Sequence, residues 1–397
     1  MDLEIDDVAY GGRGIARSSG KVIFVPGALP GERVRIRLAR DRGNYAEADL
    51  EDVLHASPER VEPACPLAAA GCPGCAYQHA SYAEELRLKQ RQFESLLMRL
   101  GGLHPAACGP PAGAPSALAY RNKLVLHAGG GDRPALGYYR ADNTTILDVP
   151  RCPLAVEAIS AEMRRARAES GFLARLRSRT AVTFRHTACD GALRWVGRPP
   201  RNAVWLKEDT VLGRISVPRA SFFQVNAAVA DVLLARVLQL LEASPLPHAV
   251  DLYCGAGVFA LCAARAGKQR IVGVDNDAEA IEAASYNLRE RGGGVSLMPA
   301  TAADALPEAL RILDPSSTIL VADPPRQGLE RGVMETVIRG KPGEIIYVSC
   351  APDAMARDMA RLQTGGYQVQ SAGMLDMFPR TACFECVAHL VRRSAGG

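Results

Sequence analysis

Cys350 lies in EIIYVSCAPDAMARD (344–358), where an apolar run ends and a helical pattern starts. A cysteine between a buried strand and a helix N-terminus sits in partial positive charge, which favours the nucleophilic thiolate. The same place also suits a small buried hydrophobe. A second chemical group is DLYCGAGVFAL (251–261), in which Gly255, Gly257 and Ala260 spell G-x-G-x-x-A between a strand and a helix. Asp275 closes the next strand, VGVD, 20 residues after Gly255. A carboxylate there can accept hydrogen bonds from ribose hydroxyls. This pattern suits NAD as well as S-adenosylmethionine. A third element is ADPPRQGL (322–329), two prolines after an acid. It reads as a rigid loop at a strand's carboxyl end, where ligands bind in such sheets.

Cysteines supply the remaining candidates. Cys65, Cys72 and Cys75 stand as C-x6-C-x2-C, and Pro73-Gly74 makes a tight turn that lets the thiolates on either side face one centre. Cys152, followed by a proline as Cys65 is, is the candidate fourth ligand. Four thiolates suit zinc or an iron–sulfur cluster. A second CxxC, Cys383 to Cys386, lies near the C-terminus. In a strand that begins by 383, Cys383 and Glu385 share one face and Cys386 takes the other, so this pair does not close on one ion. Cys108, Cys189, Cys254 and Cys262 read as ordinary. Eleven cysteines in a cytosolic chain point to metal or catalysis rather than disulfides.

These residues need positioning elements. From 219 onward, apolar strands at 248–253, 271–275, 318–322 and 344–349 alternate with helical stretches at 258–267, 277–290, 330–339 and 353–364. That alternation predicts a doubly wound α/β domain with a parallel sheet. Strands at 367–374 and 384–391 finish it as an antiparallel end pair. Residues 1–57 read as a small all-β unit. In RVRIRLARDR (33–42), Arg33, Arg35 and Arg37 share one face, and Val34, Ile36 and Leu38 the other. The arginine face suits phosphates or plain solvent. A helix from Ser81 follows, with Ser81 as cap, Glu84 completing a capping box and Gly101 past its end. Residues 105–218 read as strand-like and loop-rich, broken at Gly129-Gly130-Gly131 and Pro199-Pro200. Three domains are expected: 1–57, a central α+β domain over 58–218, and a catalytic domain over 219–397, with helix 81–101 placed against the last.

Composition narrows the partners. The chain has 397 residues, 48% of them hydrophobic, and a net charge of only +4. Residues 164–220 hold 13 Lys/Arg against 4 Asp/Glu, whereas 1–60 hold 9 against 11. A local basic excess suits a polyanion, because phosphate contacts supply most sequence-independent affinity. No stretch reaches the ~18 uninterrupted apolar residues of a membrane helix. The N-terminus MDLEIDDVAYGG lacks a basic-then-apolar signal. A cytoplasmic monomer is expected.

Longer motifs carry a resemblance. SFFQVN (221–226), DLYCGAG, DPPRQGL, YVSC-x-P with ARD, and DMFPRT with Glu385 resemble the RNA uracil-C5-methyltransferases in order and spacing. YGGRGIAR (10–17), KVIFVPGALPGERV (21–34) and AEADLEDVL (46–54) resemble a TRAM domain, a small RNA-binding β-barrel. With the cysteine cluster, the chain is most similar to the bacterial 23S rRNA (uracil-5-)-methyltransferases. The resemblance implies a Rossmann-like S-adenosylmethionine-dependent methyltransferase domain behind a TRAM/OB-like barrel. It implies Cys350 as nucleophile and Glu385 as base. It also implies Gln224, Tyr253, Asp275 and Asp323, with Gly255 and Gly257, as methyl-donor contacts, Asp323 lying near the target base too. It implies a [4Fe-4S] cluster on Cys65, Cys72, Cys75 and Cys152, and RNA as partner, 23S rRNA before the tRNA T-loop. The sequence departs from the family pattern at Val258, often polar in relatives, at Cys383, usually His, and at Phe384, usually Val or Ile. An NAD-linked oxidoreductase and a non-catalytic iron–sulfur RNA-binding protein are the readings from other classes.

Overall fold

The computed structural model describes residues 1–129, 135–140, 142–199, 204–291 and 294–393. The expected breaks at Gly130-Gly131 and Pro200 lie outside the described residues. The chain divides into two compact units. Met1–Phe93, Ser116–Thr183 and Phe378–Cys383 make the first. Glu94–Pro115, Phe184–Met377 and the described residues from Phe384 make the second.

The first unit opens with six strands: β1 (Asp2–Glu4), β2 (Asp7–Ala9), β3 (Arg13–Ser18), β4 (Lys21–Pro26), β5 (Arg33–Asp41) and β6 (Tyr45–His55). They form one curled sheet in the order β1-β5-β6-β4-β3-β2. Alternation in β5 buries Val34 and Ile36 against Ile23, Val25 and Ala48. The outward arginines are engaged in ion pairs, Arg35 with Asp2, and Arg37 with Asp49 and Glu51. Glu32 is buried and takes N–H bonds from Leu29 and Ser57 and a two-pronged Arg60 contact at 2.6 and 2.7 Å. Those donors outweigh burial and hold its carboxyl below the usual range.

Helix α1 (Tyr82–Gly101) starts in this unit and ends in the second. Ser81 caps it, accepting the Glu84 N–H at 3.2 Å. The capping box does not close. Glu84 turns to Arg87, and the Ser81 N–H goes to the Glu59 carbonyl instead. Gly101 is the last helical residue, and Gly102, at φ +64°, makes the left-handed stop. Strands β7 (Lys123–Ala128), β8 (Leu136–Tyr139) and β9 (Ile146–Asp148) form an antiparallel run. Two helices follow, α2 (Glu157–Ala168) and α3 (Phe172–Arg175). The loop-rich expectation for 105–218 misses α2, although Ile159, Met163 and Ala166 line one buried face at helical spacing. Six basic residues of the 164–220 excess are already paired: Arg164, Arg165, Arg167, Arg175, Arg185 and Arg214.

A buried ionic cluster fixes the 378–383 segment within the first unit. Lys89 Nζ donates to Glu85 Oε1 at 2.7 Å, both side chains fully buried. The same oxygen accepts the Arg380 N–H at 2.6 Å. Arg380 has φ 68°, and its guanidinium donates to the Tyr77 and Ala80 carbonyls.

Strand β10 (Ala181–Thr187) carries the chain into the second unit and pairs with β11 (Gly191–Val196). A hairpin, β12 (Leu206–Thr210) and β13 (Gly213–Val217), precedes α4 (Ala227–Ala243). The alternation that follows is β14 (His248–Leu252), α5 (Val258–Arg265), β15 (Arg270–Asp275), α6 (Ala278–Leu288), β16 (Val295–Pro299), α7 (Ala302–Ile312), β17 (Thr318–Ala322), α8 (Arg331–Gly340), β18 (Glu344–Ser349) and α9 (Pro352–Thr364). The chain closes with β19 (Tyr367–Leu375) and β20 (Glu385–Arg392). The expected strands and helices are all present. β16 and α7 were not anticipated, because α7 carries an internal proline, Pro307, that reads as a break. The seven-stranded sheet runs β16-β15-β14-β17-β18-β20-β19, with β20 antiparallel to both neighbours. The expected end pair is therefore inserted: β20 lies inside β19, against β18. Among the described residues, no helix is long and apolar enough to cross a membrane.

Lys89→Met should remove the ammonium partner of the buried Glu85 and leave Arg380, 3.5 Å away, to face it. A loss of up to about 3 kcal/mol is expected, the low end for breaking a buried pair, read as a lower urea midpoint for the unfolding of this unit.

Candidate active site

The order of the sheet sets the site. From β14 the chain crosses one way to β15 and later returns on the other side as β17, so a crevice opens at the carboxyl ends of β14 and β17. Four strands end there. β14 delivers Tyr253 and the glycine turn, β15 delivers Asp275, β17 delivers Asp323, and β18 delivers Cys350. β20 runs the other way, so its first residue, Glu385, starts at the same edge. Ser349 pairs with Cys386. One step further, Cys350 falls opposite Glu385.

The glycine turn is built for a ligand. Gly255 has φ +52°, and a Cβ on it would meet open space. Gly257 has φ +81°, and a Cβ there would stand 3.0 Å from the Ala284 Cβ. The first glycine leaves room above the turn, and the second lets α5 and α6 close together. Asp275 accepts the Gly255 N–H and the Asp277 N–H, each at 2.8 Å. A carboxylate offers about four acceptor sites, so ribose hydroxyls can still reach it. Tyr253 also has a left-handed φ, 65°, a strain that persists in non-glycine residues mostly at functional sites. Its hydroxyl is buried with no hydrogen-bond partner among the described residues. Asp251, buried in β14, accepts the Ala260 N–H at 2.7 Å and pins the start of α5. Burial pushes its carboxyl well up. Open room above Gly255, an unused hydroxyl and a carboxylate with free lone pairs suit a nucleoside-type methyl donor.

Around Cys350 the charges converge. Glu385 is 2% exposed, so it cannot be solvated in its ionised form. Burial and the Asp323 charge raise its pKa well above the carboxylate range, against a hydrogen bond from Gln224 and the Arg326 charge. Asp323 is raised by burial to about 7. The Cys350 thiol is pushed up to about 11, first by burial and then by Glu385, while Arg326 donates a hydrogen bond to it and lowers it. The N-terminus of α9 does follow Cys350, while burial and two acids act against its thiolate.

The structure thus gathers Cys350, Glu385, Asp323 and Gln224 at one edge of the sheet, beside Tyr253, Gly255, Gly257 and Asp275. Reasoning from sequence missed two contributors, Arg326 and Asp251. Both stand inside motifs already quoted, DPPRQGL and DLYCGAG, but nothing in spacing alone points to them. Cys383 lies outside β20 and within the first unit, its N–H on Thr381 Oγ1 at 3.2 Å. The strand therefore begins later than 383, and Cys386 is fully buried between β18 and β19.

Cys65, Cys72, Cys75 and Cys152 all belong to the first unit, and none is in a disulfide. They are near enough to feel one another: burial, then the Cys152, Cys72 and Cys65 charges, push the Cys75 thiol to about 12 despite a Gln78 hydrogen bond. Among the described residues no three His, Cys, Asp or Glu side chains converge as a metal-holding group. The donor set is that of a four-thiolate site.

A doubly wound sheet with this glycine turn, an acid ending its second strand and an inserted antiparallel last strand is an S-adenosylmethionine-dependent methyltransferase fold. The crystal structure of Pyrococcus abyssi tRNA (uracil-54, C5)-methyltransferase shares it, with a TM-score of 0.74 and 22% identity over 98% of this chain and 100% of that one. Residues 213–393 match the tRNA (Uracil-5-)-methyltransferase family, and residues 1–50 match the TRAM domain. The 23S rRNA (uracil(1939)-C(5))-methyltransferase RlmD of Acidithiobacillus ferrooxidans is 31% identical over 97% of this chain and 96% of its own length. An uncharacterized RNA methyltransferase of Thermosynechococcus vestitus is 29% identical over 98% of this chain and 97% of its own. The chain belongs to the RNA (uracil-5-)-methyltransferase family: it is an enzyme that uses S-adenosylmethionine and acts on RNA. The dehydrogenase reading of the glycine turn falls away, as does the non-catalytic one.

With its thiol held near 11, Cys350 should stay mostly protonated at neutral pH. Its alkylation by iodoacetamide, followed by peptide mass spectrometry, should climb about tenfold per pH unit from 7 to 10. A plateau by pH 8 would contradict this.

Proposed function

We propose that this protein methylates C5 of one uridine class in 23S rRNA through a covalent adduct on Cys350. The placement of Cys350 opposite Glu385 carries this reading. Uracil C5 is a poor nucleophile. When the Cys350 thiol loses its proton to solvent and its Sγ adds to C6, the electron pair of the C5–C6 double bond moves into an enolate and makes C5 nucleophilic. The bound methyl donor supplies an electrophilic sulfonium methyl. Glu385, as its carboxylate, then takes the C5 proton, and elimination breaks the S–C6 bond and releases the thiolate, which regains a proton from solvent. Its raised pKa suits a proton acceptor in a water-poor site. Arg326, donating to the sulfur, helps to offset two neighbouring acids. Gln224, Tyr253, Gly255, Gly257 and Asp275 hold the donor, and Asp323 faces donor and base alike. C5 and C6 are not reachable in a stack, so the nucleotide is flipped out.

Other parts of the reading rest on the family pattern. The full-length match to a 23S rRNA enzyme supports the ribosomal target. The tRNA T-loop uridine is the second reading, favoured by the family's tRNA description. Cys65, Cys72, Cys75 and Cys152 would hold a [4Fe-4S] cluster, which would crosslink the chain around it. The functional parts are 1–57 for RNA binding, 58–218 for the cluster and the basic surface, and 219–397 for chemistry, in a cytoplasmic monomer.

Cys350→Ala should abolish methyl transfer. Glu385→Gln should lower turnover about 100- to 10,000-fold and leave RNA covalently attached, seen as a band resistant to denaturing electrophoresis. Turnover by the alanine variant would overturn the adduct. Mass spectrometry of 23S rRNA and tRNA from a deletion strain should show 5-methyluridine lost from the former, and loss from tRNA alone would select the second reading. Anaerobically purified protein should carry iron and sulfide in equal amounts, both lost in Cys75→Ser, whereas zinc in their place would replace the cluster.

A further inference from the structure

Asp358 lies on α9, eight residues after Cys350, and the chemistry above does not use it. It is 4% exposed. Its Oδ2 accepts the Tyr347 hydroxyl at 2.7 Å and the Leu329 N–H at 2.7 Å. Gly328, with φ +87°, presses on the same oxygen: a Cβ there would stand 2.5 Å from Oδ2 and 3.2 Å from Cγ. Only glycine fits, on grounds of backbone conformation and of space.

The contact sits at one end of the proline loop. At the other end, the Asp323 N–H reaches the Leu252 carbonyl at 3.4 Å. Between them the Gly328 N–H closes a turn on the Pro325 carbonyl at 2.9 Å, and Pro324 and Pro325 have fixed φ. The loop is therefore tied at Leu252, stiffened in the middle and tied again at Asp358. Arg326 projects from it and hydrogen-bonds the Cys350 thiol.

We propose that Asp358 is a positioning residue: by holding the Leu329 N–H and packing on Gly328, it sets the proline loop so that Arg326 stays on the Cys350 sulfur. This deepens, and rests on, the reading of Cys350 as nucleophile. Three charges face that sulfur: Glu385 from β20, and Asp323 and Arg326 from the proline loop. Only Arg326 favours the thiolate. Asp358 in turn faces Tyr347 of β18 and Tyr253 of the glycine turn. A carboxylate about two helical turns from the nucleophile thus acts on it through a loop.

The test is the pH profile of Cys350 alkylation in the full-length protein, read on the Cys350 peptide. Asp358→Asn and Gly328→Ala should each move the profile to higher pH and slow alkylation at pH 8 about three- to tenfold, equal to half a unit to one unit of pKa. Arg326→Gln should do the same, and Asp358→Asn added to it should have no further effect, because the two act on one path. Should Asp358→Asn fail to fold, Gly328→Ala carries the test alone. Profiles that overlay the wild type in the folded variants, or an Asp358→Asn shift that persists in full without Arg326, would overturn the proposal. Alkylation reports the thiol whether or not methyl transfer occurs. Retained turnover in Cys350→Ala would therefore sink the nucleophile reading without touching this result.

Discussion

Insertion of β20 between β18 and β19 is the constraint on which the site depends. Five parallel strands place their carboxyl ends at one edge of the sheet, and a parallel sixth strand would place its N-terminal residue at the far edge. An antiparallel β20 starts where β18 ends. Glu385, its first residue, then lies one strand spacing from Cys350. Neighbouring strands stand about 4.8 Å apart, which is within reach of two groups that must act on adjacent carbons of one ring. Outside β19, the same strand would put Glu385 two spacings away.

The electrostatics follow from that placement. Two carboxyls and a thiol share a buried edge with one guanidinium. Ionising any of them in place is costly unless the others stay neutral or Arg326 is near. The reactivity of the site therefore depends on how proton and cation are arranged when substrate arrives. Loop geometry becomes an electrostatic variable, because the proline loop carries both Asp323 and Arg326. The Asp358 contact, the positive φ of Gly328 and the two prolines all restrict that loop.

Much of this was legible in the residues. The β–α alternation from 248 to 364 was readable because parallel strands covered on both faces are continuous apolar runs, and the helices between them have amphipathic spacing. The arginine face of β5 was readable from period two. The glycine turn was readable because left-handed φ at Gly255 and Gly257 demands that residue. Other features were not readable, each for a physical reason. Pro307 hid α7, since a proline six residues into a helix looks like its end. Val295–Pro299 hid as a short half-buried edge strand. The burial of Cys350, which acts against its thiolate, was not readable because it belongs to no single segment. The strand through Cys383 was expected to start too early, because β propensity does not mark where a loop held by Glu85 and Arg380 lets go.

The sequence by itself determined which residue types stand at strand ends, since those follow from local periodicity and turn chemistry. It determined that a cysteine, a carboxylate, a glycine turn and a proline loop occur in one order along the chain. Only the tertiary structure decided that Cys350 and Glu385 face each other. That pairing joins residues 35 positions apart through a choice between two edges of a sheet, and both choices satisfy the same alternation of apolar side chains. It also decided that the outward arginines of β5 are met by acids of its neighbours, and that Arg326 bears on the nucleophile. Charges act across space, and the distances that set their strength exist only in the folded chain.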